Sequence, residues 1–202
     1  MKIMAFDIKQ ILFNLPEVKK PIEKKLSFNV KLKWTLVILA AFFILGNIPL
    51  YGLSGNALSN LEFLRLVLAS QFGSIVSLGI GPIVMSSIIL QLLAGSGIMK
   101  IDTKSPEGKK YFQGLQKIGV LFFIIFEAAV YVLMGGLQAV PGYTGILIFQ
   151  LILGGLAIMF MDEVVQKWGF GSGVSLFIVA GVAAALFSGL FQFMGANGEN
   201  CL

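Results

Sequence analysis

The sequence predicts an all-α, polytopic membrane helical bundle of five transmembrane helices with a shorter half-helix on the external side, and three observations carry that prediction. The chain is 57% hydrophobic and 12% charged, where a soluble domain carries about 25% charged residues. Glycine fills 24 of 202 positions, the small-residue content that lets helix backbones approach inside a bilayer. Long uncharged runs alternate with clusters of lysine, as spans alternate with loops. The mean hydropathy of +0.90 agrees.

Composition also excludes several classes of chemistry. There is no histidine, and the lone cysteine is Cys201, so no intrachain disulfide, no Cys/His metal site and no cofactor are expected. The first apolar run begins after Lys33 without a small-residue cleavage site behind a short core, so a cleaved leader is not expected. Residues 1–33 read as a cytoplasmic N-terminal segment and 34–202 as one membrane domain.

A helix needs about 20 apolar residues to cross roughly 30 Å of hydrocarbon. Trp34 to Leu50 is the first candidate. The uncharged stretch between Arg65 and Lys100 would run roughly 50 Å as one helix, too long for one crossing. A break at Gln71-Phe72-Gly73-Ser74 leaves a second span near Ser74 to Leu93. The third runs from Lys117 to Met134, the fourth from Thr144 to Met161, and the fifth from Gly173 to Met194. Of the 15 basic residues all but Arg65 fall on one side of this arrangement, which the positive-inside rule makes cytoplasmic. The N-terminus is then inside and Cys201-Leu202 outside. The +5 charge is therefore a topology signal, without the clustered arginines and interleaved aromatics of a nucleic-acid patch.

Two amphipathic segments lie outside the spans. Met4, Ile8, Ile11, Leu12 and Leu15 share a helical face up to Pro16, fitting either an interfacial helix or one packed on the bundle's cytoplasmic ends. In "SNLEFLRLVLASQFG", Ser59 and Glu62 form a capping-box pattern, Leu61, Leu64 and Leu68 share a face, and Gly73 offers a left-handed cap. Starting near Asn60, this helix has about 12 residues and an axial length near 18 Å, too short to cross. Glu62 and Arg65 form a possible i,i+3 pair, so it lies either on the outer surface or re-entrant in a wet vestibule.

"GIGPIV" interrupts the second span. On a helix Ile80 and Val84 stack on one face, Gly79 and Gly81 thin the adjoining faces, and Pro82 loosens the backbone ladder. Val174 and Ile178 repeat the branched pair after the glycine cluster "GFGSG". Two such pairs fit ordinary small-residue helix packing, or a narrow apolar collar that gates by excluding water. Glu127 is the one ionisable side chain well inside a span, a functional candidate by default or a carboxyl bonding a neighbouring helix. Without a second acid or a base beside it, it makes no catalytic pair, and "GFGSGVS" lacks a P-loop lysine.

With "SLGIGPIVMSSIILQLLAGSG", "FQGLQK", "FEAAVYVLMGG" and "MDEVVQKWGFGSGVSLFIVAGV" in this order, the chain resembles the SecY family of archaeal type, the channel subunits of the Sec protein translocon. The resemblance runs from about Leu15 to near Ser188 and implies one inverted-repeat half of a ten-span protein-conducting channel. It implies a pore ring of Ile80, Val84, Val174 and Ile178, and a plug comprising Asn60, Leu61, Glu62, Leu64, Arg65 and Leu68. It also implies a lateral gate at Met85, Ser86 and Glu127. Met85 stands where the family has threonine, and Ser86 faces about 100° away. The implied partners are the other half of the channel (spans six to ten), SecE/gamma and beta subunits, a ribosome or other motor, signal sequences and the bilayer. The implied role is non-enzymatic. Rival readings of the residues are half of a secondary transporter, or a poreless membrane scaffold.

Overall fold

The computed structural model describes residues 17–19, 21, 26–54, 73–97 and 105–190. These residues form five helices: α1 (Phe28–Gly46), α2 (Gly81–Gly95), α3 (Pro106–Leu133), α4 (Thr144–Trp168) and α5 (Gly173–Leu190). No strand occurs among the described residues, only the isolated bridges Pro49–Ser74 and Leu53–Ala139. The half-helix from about residue 60 and the N-terminal stripe ending at Leu15 lie outside the described residues.

Helix boundaries depart from expectation for local reasons. α1 begins at Phe28 because Ser27 is still extended, and Lys31 and Lys33 sit in its first turns, where long stems reach the interface. α3 starts at Pro106, ahead of Lys117. Ser105 Oγ accepts from Gly108 N at 3.1 Å, and Pro106 stands in the first turn, where its missing N–H is not needed. α4 continues past Met161 to Trp168, carrying Asp162, Glu163 and Lys167 inside the helix.

The second span differs most. Residues 73–80 are a run of turns, and α2 begins only at Gly81. Gly73 (φ 86) and Gly79 (φ 57) are left-handed, which interrupts a right-handed helix. Pro82 falls in the first turn of α2, so it starts the helix rather than loosening its interior. Among the described residues α1, α4 and Gly108–Leu133 of α3 are long and apolar enough to cross a membrane, while α2 and the Gly173–Ala184 part of α5 are shorter apolar stretches.

α2 packs on α3, α3 on α4, and α4 on both α1 and α5, which also touch each other. α4 is the central post: Leu147, Leu151, Ile158 and Val165 are fully buried along it. Its glycines set the close approaches. A Cβ on Gly154 would fall on the Ile75 carbonyl, and one on Gly155 would lie 2.9 Å from Ile124. With no hydrophobic drive between helices in lipid, such contact is what holds them together. At the loop end, Leu50 N donates to Gly73 O at 2.8 Å and Ile75 N to Ile48 O at 3.1 Å. Gln150 Oε1 accepts from Tyr51 N at 3.0 Å.

Candidate functional site

The two branched pairs stand at the starts of α2 and α5. Ile80 precedes α2, is half-buried against the core, and its carbonyl accepts from both Ile83 N and Val84 N at 3.1 Å. That geometry keeps Ile80 and Val84 one turn apart although Ile80 lies outside the helix. Val174 is half-buried in the first turn of α5, and Ile178, one turn on, is 47% exposed. Each pair follows a left-handed glycine, Gly79 (φ 57) or Gly171 (φ 78). α2 takes α3 as its helical neighbour, and α5 takes α4 and α1.

Two polar residues that sequence reasoning missed hold the turn into α5. Asp162, 6% exposed, accepts from Val174 N on Oδ1 at 3.0 Å and from Gln166 Nε2 on Oδ2 at 2.8 Å. Thr35, 8% exposed on α1, accepts from Phe170 N at 3.3 Å and donates to Lys31 O at 2.9 Å. A Cβ on Gly173 would lie 2.6 Å from Asp162 Oδ1, and one on Gly169 would lie 2.9 Å from Thr35 Oγ1. Expecting α4 to end at Met161 hid Asp162, which the shortened span assigned to a loop. No local pattern marks it, since Asp162 stands twelve residues before the N–H it caps, on a different helix.

The expected gate residues do not form one cluster. Met85 is 53% exposed. Ser86 is buried and donates to Gln116 O at 3.0 Å, over Gly119, whose missing side chain leaves it room. Next to it, Gln116 Nε2 donates to Ser87 Oγ at 2.7 Å, and Ser87 to Ile83 O at 2.7 Å. These bonds sew α2 to α3. Glu127 lies three turns further along α3, roughly 16 Å from Gln116 by helical rise. Its half-buried carboxylate faces the first turn of α2, where a Cβ on Gly81 would meet Oε2 at 3.1 Å.

Away from Gly81, a charged knot joins the middle of α3 to the last turns of α4. Glu163 Oε1 takes Lys117 Nζ at 2.9 Å and Lys167 Nζ at 2.8 Å, with the three side chains 10 to 21% exposed. Lys167 also reaches Glu17 at 2.7 Å and Val18 O at 2.6 Å, and Trp168 Nε1 donates to Lys19 O at 2.9 Å. Glu17 to Lys19 is thereby strapped to the end of α4. No group of acids, cysteines or histidines that could hold a metal ion occurs among the described residues.

Among the described residues, three apolar helices of crossing length and ion pairs gathered around Glu163 and Lys167 define a multi-pass α-helical membrane protein. The profile of the SecY family matches residues 74–200, and that of the plug domain of Sec61p matches residues 41–73. The protein translocase subunit SecY of Methanothermobacter thermautotrophicus is 52% identical over 183 residues, covering 90% of this chain and 40% of the relative. The canine Sec61 of a ribosome-channel complex from the endoplasmic reticulum superposes with TM-score 0.78 at 37% identity, over 93% of this chain and 43% of the other. A structure concerned with the plug domain of SecY and the closed state of its channel gives TM-score 0.77 at 36% identity, over 91% and 43%. The chain belongs to the SecY family. It spans about 40% of the length of the curated relatives it matches.

Proposed function

We propose that this chain supplies the first half of a gated, protein-conducting channel that moves unfolded polypeptide across the cell membrane and releases membrane helices into it. The observation that carries the proposal is the placement of the branched pairs. Ile80/Val84 and Val174/Ile178 stand at the starts of separate apolar helices, each after a left-handed glycine, and those helices have different packing neighbours. Side chains so placed suit a collar across a passage, closed at rest because a narrow apolar ring expels water. Branched apolar groups also fit around varied passing residues without binding them.

The remaining assignments rest on family membership. Asn60, Leu61, Glu62, Leu64, Arg65 and Leu68 would form the plug, and α2 with α3 one leaf of the lateral gate bearing Met85, Ser86 and Glu127. The polar stitches between Ser86, Ser87 and Gln116 suit a leaf that moves as one piece. The other channel half, the SecE/gamma and beta subunits, and a ribosome or other motor complete the working assembly. Energy comes from the motor, so the chain's own role is non-enzymatic. The lysine distribution supports a cytoplasmic N-terminus and an external Cys201-Leu202.

The test is resting ion conductance of the full-length channel carrying Ile80→Gly with Val84→Gly. Raised leak with intact assembly is expected; an unchanged seal overturns the collar.

A further inference from the structure

We infer that Asp162 is the N-terminal cap of α5, supplied from α4, and that it positions the collar residues Val174 and Ile178. The collar part of this inference rests on the proposed function; the cap itself does not.

The opening turn of α5 lacks adequate caps of its own. It has no acidic residue, and Ser172 Oγ lies 3.5 Å from Ser175 N, longer than a good N–H···O bond. Asp162 Oδ1 instead takes the Val174 N–H at 3.0 Å, as a capping side chain takes the second or third N–H of a helix. Gln166, one turn along α4, holds the other carboxylate oxygen at 2.8 Å, so the acceptor is fixed in direction. Gly173 allows the contact, because a Cβ there would lie 2.6 Å from Oδ1 and 2.7 Å from the Asp162 Cα. The bonded N–H belongs to Val174 itself, and Ile178 lies one turn on. Displacing this cap therefore displaces both side chains. Because α4 is the buried post of the bundle, the cap ties the collar to the most deeply buried of the described helices.

The experiment uses the full-length channel with Asp162→Ala, Asp162→Asn and Gly173→Ala, read by amide hydrogen exchange in the 170–180 segment and by resting ion conductance. Asparagine keeps the oxygen acceptor, alanine removes it, and the Gly173 variant leaves the aspartate in the chain but drives α5 off it through a clash with Asp162 itself. Losing a charge-assisted bond should speed exchange at the Val174 amide about tenfold or more. The expected result is fast exchange and raised leak in the alanine and Gly173 variants, with both largely restored in the asparagine variant. Unchanged exchange in Asp162→Ala and Gly173→Ala overturns the cap. Fast exchange with a tight seal, while Ile178→Gly leaks, overturns the coupling to the collar. Fast exchange with no leak in Ile178→Gly either upholds the cap and sinks the collar reading.

Discussion

Gly154 shows how much a single missing methyl group decides in this bundle. Its α-carbon faces the Ile75 carbonyl, so a Cβ would fall on backbone that has no rotamer by which to move aside. Gly154→Ala is expected to lower thermal stability in detergent by about 1–3 kcal/mol, the range for overpacking. Gly145→Ala, on the same helix with nothing within 4 Å of its Cβ, is expected to be neutral or slightly stabilising. Lys167 presents the complementary case. It is 11% exposed and bonds two carboxylates and a carbonyl, so Lys167→Met leaves Glu163 buried and less compensated. A loss of about 1–3 kcal/mol in unfolding free energy is expected, because Lys117 still holds Glu163. Lys167→Met combined with Lys117→Met and Glu163→Leu should recover much of it, since removing all three charges of the knot removes the desolvation cost. At this scale the sequence was legible where a residue type is costly in its surroundings. Glu127 stood out because a carboxyl inside an apolar run demands a reason, and the repeated branched pairs stood out by spacing. Asp162, Thr35 and Gly154 did not, because their roles depend on which distant backbone lies against them.

Among elements, the segment before α2 departs furthest from periodicity. Hydropathy extends the second span back to Ser74, yet left-handed glycines turn residues 73–80 into a folded approach, and Pro82 starts the helix. Apolar character reports the environment of a segment, and this segment is apolar without being helical. Gly79 tests that account, since nothing lies within 4 Å of its Cβ and any loss is backbone strain. Gly79→Ala is expected to cost about 1–2 kcal/mol, the penalty for a left-handed residue with a side chain. Gly79→Asn should cost less. Equal stability of all three would contradict the assigned conformation. The helix ends were legible only in hindsight of their caps. Ser105-Pro106 starts α3 within a lysine-rich stretch that charge alone marks as loop, and within α4 Glu163 is matched by Lys117 of α3 and by Lys167 one turn along its own helix.

For the whole molecule, the fold class followed from composition, since a chain this apolar and glycine-rich has few ways to satisfy its backbone except as packed helices. The pairing order α2–α3–α4, with α1 and α5 on the far side of α4, was not legible, because interchangeable apolar faces carry no register in their spacing. That order carries the functional account: it sets the helices bearing Ile80/Val84 and Val174/Ile178 against different neighbours. The most direct measurement places a photo-crosslinker singly at Val84, Ile178 and the 62%-exposed Phe122 of the full-length channel while a polypeptide is stalled in transit. The account predicts adducts to the stalled chain from Val84 and Ile178 and to lipid from Phe122. Adducts to lipid alone from all three positions, or to the stalled chain equally from all three, would contradict it.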